Sequence, residues 1–128
     1  MSTRPFEDHK AAVRRLVNEV MVGGDFEVLD RIYAAGAADH ARAWITPFRA
    51  SFSDLDMEIV ELVAEKDTVA ARFLCSGTHT GEWRGHPPTG RRFHRVPEIY
   101  FFQFTDGRIS QAWGLEDTDR RLRQLGLD

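Results

Sequence analysis

The sequence has 128 residues, of which 42% are hydrophobic and 29% charged, with a formal net charge of -3 at pH 7. This length and apolar share are typical of one globular domain with one core, and we treat 1–128 as that domain. The slight negative charge argues against a nucleic-acid partner. No apolar stretch is long enough for a membrane span, and a lone cysteine, Cys75, fits a reducing cytoplasm.

The first half of the chain carries helical patterns. Apolar residues at helical spacing predict three helices, over Phe6–Val22, Phe26–Ala35 and Asp39–Phe52. Gly23 and Gly24 should end the first helix, and the carboxylate of Asp25 should cap the second. Pro47 lies inside the third helix and lacks an N–H group, which predicts a kink or a new start capped by Thr46.

The second half of the chain carries strand patterns, which predict a β-sheet. Four strands and a short final helix are predicted, over Leu55–Val63, Thr68–Thr80, Arg91–Phe104, Arg108–Leu115 and Asp117–Leu125. The alternation changes phase at Ile59–Val60, which indicates a bulge, and Asp106–Gly107 is typical of a hairpin turn. This order predicts an α+β fold with helices on one face of an antiparallel sheet. Its long strands must coil, so the curved sheet should enclose a conical cavity.

Three groups of motifs then carry a family resemblance. They are Ser51-Phe52-Ser53-Asp54-Leu55, the loop Gly77 to Glu82 with Gly85 to Arg91, and a C-terminal set of Asp106-Gly107-Arg108-Ile109, Trp113, Asp117 and Gln124-Leu125-Gly126. Over about Lys10 to Leu127 the chain resembles the SnoaL-like polyketide cyclases of the NTF2-like superfamily. The resemblance implies an NTF2-like cone. The characterised members of the family close a ring by intramolecular aldol condensation, with an acidic residue and without a metal or covalent intermediate.

One departure from the family concerns the link between the second and third helices. Relatives carry a strand and a histidine there, whereas Tyr33 is followed almost at once by the predicted third helix. His40 is expected at the start of that helix and is not equated with the family histidine. One wall of the cone should therefore be open, or closed by a partner subunit.

Asp117 is the first candidate catalytic residue, because it matches the family's acid/base. Alternation along the last strand would place Ile109, Gln111 and Trp113 on one side, with Asp117 near the mouth of the cone. A carboxyl group beside apolar carbon has a raised pKa that suits proton transfer. The alternative is that Asp117 only caps the final helix.

His79 is the second candidate, since it could polarise a substrate carbonyl or exchange protons with Asp117. Its alternative role is that of a loop histidine bonded to the backbone. Flat aromatic side chains suit a polycyclic ligand, and five of them are candidate pocket walls, namely Trp113, Tyr100, Phe102, Trp83 and Trp44. Plain core packing is the alternative, and for any single one of them it is favoured. No spacing of His, Cys or carboxylate residues resembles a metal site, so we expect no metal and no cofactor.

Two functions remain open from the sequence. The first is a cofactor-independent cyclase or isomerase that acts on a small apolar carbonyl compound, a class that includes polycyclic ones, with Asp117 as general acid/base. The second is a noncatalytic ligand-binding or dimerisation module. A homodimer is expected in either case, because a curled sheet in a small domain leaves its convex face uncovered.

Overall fold

In the described chain, helices come first and a single sheet follows. The structure is a computed structural model that describes residues 4–127. Its helices are α1 (Arg4–Arg15), which continues as wider π turns over Leu16–Val22, then α2 (Leu29–Ile32) after a 3-10 turn over Phe26–Val28, α3 (Ala35–Ser51) and α4 (Thr118–Gln124). Its strands are β1 (Asp56–Glu65), β2 (Thr68–Thr78), β3 (Arg92–Thr105) and β4 (Arg108–Glu116). The predicted α+β class is confirmed.

The first helical segment ends where the glycines predicted. The π turns stop at Gly23, and Gly24 takes a left-handed φ of 75°. The predicted cap at Asp25 is wrong, because its side chain makes no capping hydrogen bond. The backbone of Asp25 opens the next turn instead, since its carbonyl accepts the N–H of Val28 at 3.3 Å.

Helix α3 runs without a break through Pro47, so the predicted new start capped by Thr46 is wrong, whereas the kink stays a prediction. The carbonyl of Ala43 would have accepted the N–H that proline lacks. Both Ala43 and Pro47 are exposed, so water can reach that carbonyl. The helix also begins earlier than predicted, directly after Tyr33 pairs with Ile109 in an isolated bridge.

The sheet is antiparallel in the order β1-β2-β3-β4. The predicted bulge is confirmed by a register shift between Ile59 and Glu61. The predicted hairpin turn is confirmed at Asp106 and Gly107, whose φ values are 52° and 81°. Two more register shifts occur in the β2–β3 and β3–β4 pairs. Such bulges bend long strands and increase their twist.

The shift in the β3–β4 pair changes which face of β4 looks inward. Ile109 pairs with Phe104, whereas Gln111 pairs with Gln103, so Ser110 has no partner across the ladder. Ile109 is fully buried, but Trp113 is 53% exposed. The expectation that Ile109, Gln111 and Trp113 share one side is therefore wrong, because it assumed unbroken alternation.

The two faces of the sheet have different surroundings. The inner face packs on the helices around buried residues such as Val17, Ile45, Phe73, Phe102 and Ile109. The outer face exposes a cluster of large apolar side chains, namely Ile99, Phe101, Trp113 and Leu115. Within residues 4–127, no helix is both long and apolar enough to cross a membrane.

Candidate functional site

A cavity of about 390 Å³ lies between the helices and the inner face of the sheet. Its wall is largely apolar and aromatic. Four of the predicted wall residues line it, namely Trp44, Tyr100, Phe102 and Trp113, together with Phe73, Met57 and Tyr33. Trp44 and Tyr100 stack with their ring planes 7° apart and their centroids 6.4 Å apart. This arrangement suits a flat, hydrophobic ligand.

A single carboxyl side chain, that of Glu98, lines this cavity among the described residues. Alternation along β3 puts Glu98 on the same inner face as Tyr100 and Phe102, whereas Ile99 and Phe101 point outward. Only 4% of Glu98 is exposed. Burial, followed by the nearby negative charge of Glu116, raises the pKa of Glu98 from 4.5 to about 7. Such a carboxyl group can both take up and release a proton near neutral pH.

Arg121 holds Glu98 from the side of α4. Its Nη2 donates to Oε2 of Glu98 at 2.8 Å, and its Nη1 donates to Oε1 of Glu116 at 2.8 Å. Arg121 is only 1% exposed. Its guanidinium group lies 4.6 Å from the ring centroid of Phe93, a distance at which cation–π attraction offsets part of the desolvation cost. One buried cation thus joins two carboxylates.

Tyr100 extends this polar cluster into the cavity wall. Its hydroxyl group donates a short hydrogen bond to Oε2 of Glu116. Burial and the charge of Glu116 raise the pKa of Tyr100, so the phenol stays protonated. We refer to Glu98, Arg121, Glu116 and Tyr100 as the buried polar cluster.

His79 lies outside the lining of this cavity, although its side chain is fully buried. Its Nδ1 accepts the N–H of Thr89 at 3.1 Å, which ties the ring to the loop before β3. The ring also packs against Phe52, with centroids 5.7 Å apart. These contacts match the alternative role given for His79, a loop histidine bonded to the backbone.

Asp117 caps α4. Its Oδ1 accepts the N–H of Arg120 at 3.1 Å, and its Oδ2 lies 3.3 Å from Nε of the same arginine. Its side chain is 35% exposed. Asp117 does not belong to the cavity lining in the described structure. The contacts therefore match helix capping, and its catalytic role stays a prediction.

The other predicted residues lie at the margins of the cavity. Trp113 borders it but stacks on the outer-face residue Phe101, with centroids 5.8 Å apart. Trp83 lines a second cavity, of about 370 Å³, instead of the first. His40 lies on α3 beside the main cavity although it is exposed. The burial of Cys75 raises the pKa of its thiol, as expected for an unreactive core cysteine.

Comparison with known proteins gives the family. The model of the SnoaL-like polyketide cyclases matches residues 11–125. The chain belongs to this family.

Several proteins are similar to this SnoaL-like chain in sequence or in structure. Aklanonic acid methyl ester cyclase AcmA of Streptomyces galilaeus is 31% identical, over 91% of this chain and 89% of the relative. The structure of TsrD from Streptomyces laurentii has a TM-score of 0.80 and 29% identity, over 100% of this chain and 99% of TsrD. A SnoaL-like structure from Jannaschia sp. CCS1 has a TM-score of 0.87 at 19% identity, over 95% of this chain and 94% of that one, and supports the fold alone.

Sequence reasoning missed three members of the buried polar cluster in this SnoaL-like chain. The signal for Glu98 was present, because it alternates with Tyr100 and Phe102, both predicted as cavity walls. Arg121 precedes the buried Leu125 by four residues and so shares its helix face. The position of Glu116 depends on the β4 bulge, which the sequence did not reveal.

Removing the shared cation should strongly destabilise the fold. We predict that Arg121→Met lowers the free energy of unfolding by about 3–5 kcal/mol at neutral pH, because the buried Glu98 and the partly buried Glu116 lose their counterion. The matched control is Arg120→Met in the same helix, which removes only the half-exposed pair with Asp117 and should cost less than about 1 kcal/mol.

Denaturant unfolding of both variants with the wild type checks this expectation. Equal, small losses in the two variants would show that Arg121 does not hold the cluster together. Arg121→Lys keeps the charge and should recover part of the loss, although lysine cannot bind both carboxylates with the guanidinium geometry.

Proposed function

We propose that this protein catalyses a cofactor-independent cyclisation or isomerisation of a small, apolar carbonyl compound in the main cavity. The observation that carries the proposal is a buried carboxyl group, Glu98, in an otherwise largely apolar and aromatic cavity. Family membership supports the cyclase class, and the named relative AcmA acts as a cyclase on a methyl ester. A fused-ring ligand would fit the stacked walls of Trp44 and Tyr100.

In the proposed reaction, Glu98 moves one proton. Its carboxylate takes the proton from a carbon next to a carbonyl group, which leaves an enolate. For a cyclisation, the enolate carbon attacks a second carbonyl of the same molecule, so a C–C bond forms and that C=O π bond breaks. The resulting alkoxide takes the proton back from Glu98, and the enzyme returns to its starting state. An isomerisation returns the proton to another carbon.

Glu98 is a better candidate than Asp117 for this role on physical grounds. Glu98 lines the cavity and has a raised pKa, whereas Asp117 is partly exposed and its side chain caps the N-terminus of α4. The resemblance to the family favours Asp117, so the two residues form a natural pair for a direct comparison.

We predict that Glu98→Gln reduces proton exchange by a factor of about 10²–10⁴, the usual contribution of a general base. The measurement is the exchange of the α-protons of 2-tetralone in D₂O, followed by ¹H NMR, which requires no knowledge of the natural substrate. Asp117→Asn should stay within about threefold of the wild type, because loss of a cap affects stability more than proton transfer. The wild-type rate should rise with pH through about 7, as Glu98 ionises.

Three results would change this assignment. Loss of exchange in Asp117→Asn alone would return the catalytic role to Asp117. Unchanged exchange in both variants would exclude both carboxyl groups. Absence of exchange above the buffer rate in the wild type, with 2-tetralone bound, would favour a noncatalytic ligand-binding module.

We further infer that the protein forms a homodimer through the outer face of the sheet. Two cross-strand pairs support this, Ile99 with Leu115 and Phe101 with Trp113, all of them large and exposed. A contiguous exposed apolar patch is typical of a protein–protein contact surface. The lone, buried Cys75 is compatible with the cytoplasmic location expected from the sequence.

For the dimer, we predict that Ile99→Glu converts the protein to a monomer, because a carboxylate would be buried against an apolar partner surface. Light scattering coupled to gel filtration measures the mass directly. The control is Lys66→Glu, in the turn between β1 and β2, which should leave the dimer intact. A wild-type mass equal to one chain would refute the dimer.

A further inference from the structure

Tyr33 is held beside the main cavity by its backbone. It ends α2 in an extended conformation, with a φ of -107° and a ψ of 149°. Its N–H donates to the carbonyl of Leu29 at 2.9 Å, and the next N–H, that of Ala34, donates to the carbonyl of Ile109 at 2.9 Å. Tyr33 also pairs with Ile109 of β4 in the isolated bridge. The helix and the sheet together therefore fix the point from which the Tyr33 side chain extends.

The hydroxyl group of Tyr33 is a hydrogen-bond donor without a partner in the described part of the chain. The side chain lines the main cavity, and the residue is only 3% exposed. No described residue accepts a hydrogen bond from this hydroxyl group, whereas that of Tyr100 is bound to Glu116. Because buried polar groups are nearly always hydrogen-bonded, an unpaired one requires an explanation.

A ligand in the main cavity can reach this hydroxyl group. Among the described residues, the buried side-chain atoms that lack both a partner and accessible surface belong to His9, His79 and Arg121. The Tyr33 oxygen is not one of these atoms, so it retains accessible surface. Because the rest of Tyr33 is covered and the residue lines the main cavity, that surface faces the cavity.

Tyr33 is better suited to hold a ligand oxygen than the His, Gln and Ser side chains of the same wall. His40 and Gln111 are exposed, so water competes for their polar groups. Ser110 donates its hydroxyl hydrogen to the carbonyl of Gln103 at 3.2 Å. Burial raises the pKa of Tyr33, so its phenol keeps its proton and remains a donor.

We propose that the Tyr33 hydroxyl group donates a hydrogen bond to the reacting carbonyl oxygen of the ligand and stabilises the enolate that forms there. The inference rests on the proposed function, because Glu98 is the base that forms this enolate. When Glu98 takes the α-proton, the electrons of the C–H bond form a C=C bond, and the carbonyl π electrons move to the oxygen. The negative charge strengthens the hydrogen bond, while Tyr33 keeps its own proton.

The infrared carbonyl band of bound 2-tetralone, labelled with ¹³C at the carbonyl, tests this hydrogen bond directly. At about pH 9, where Glu98 is ionised and donates no proton, we expect the wild-type band to lie below its frequency in cyclohexane. Tyr33→Phe keeps the ring and should move the band to the cyclohexane frequency. The matched control is Tyr100→Phe, which changes the other tyrosine of the sequence and should keep the low-frequency band, because that hydroxyl group is bound to Glu116.

Proton exchange tests the catalytic part of the inference. At saturating 2-tetralone, Tyr33→Phe should slow the exchange of the α-protons by about 10²-fold, the usual effect of removing one donor to an oxyanion. The rate should still rise with pH through about 7, because Glu98 is retained. A role in wall packing alone would leave the exchange rate of the bound ketone unchanged.

The outcomes separate this inference from the proposed function. A wild-type band at the cyclohexane frequency overturns the inference, whether or not Tyr33→Phe folds. A low-frequency band that persists in Tyr33→Phe, or an unchanged exchange rate in that variant, also overturns it. Failure of 2-tetralone to bind the wild type overturns it together with the proposed ligand class. Normal exchange in Glu98→Gln overturns the base assignment alone, because the infrared band reports the hydrogen bond without proton transfer.

Discussion

The ion pair between Arg121 and the two carboxylates of Glu98 and Glu116 is the interaction on which the site depends. Arg121 and Glu98 are buried, with 1% and 4% exposed, and Glu116 is partly buried, with 26% exposed. Desolvating such charges costs several kcal/mol per ion, and only close geometry offsets that cost. The 2.8 Å contacts and the surrounding aromatic rings supply this geometry. The pair also joins α4 to β3 and β4, so a short C-terminal helix determines how the catalytic candidate is held.

An unequal charge count in this cluster explains how one carboxyl group becomes suited to proton transfer. Two carboxylates share one guanidinium group, so full ionisation leaves a buried net negative charge. Glu98 is 4% exposed and Glu116 is 26% exposed, so burial acts most strongly on Glu98 and raises its pKa. Glu98 is also the member that lines the apolar cavity. The buried polar cluster therefore influences the pKa of Glu98, orients its carboxyl group and places that group beside the apolar cavity.

The fold was largely predictable, whereas the site was predictable only in part. Periodicity and turn residues predicted the fold class, the four strands and the bulge at Ile59, because these features depend on local patterns. The aromatic walls Tyr100 and Phe102 were also found. The bulge at Ser110 has no sequence signal of its own, and it reversed the expected facing of Trp113. Glu98 and Arg121 lie 23 positions apart in the sequence. Their pairing is a tertiary contact, which neither hydrophobic periodicity nor turn residues can predict.

The most direct test of the account is the protonation of Glu98 itself. Protein labelled with ¹³C at the glutamate side-chain carboxyl would be titrated by NMR from about pH 4 to 9, with Glu98 assigned by its absence in Glu98→Gln. The account predicts a midpoint of about 7, and a lower midpoint in Glu116→Gln, where the neighbouring negative charge is removed. A midpoint at or below the ordinary glutamate value of 4.5 would contradict it.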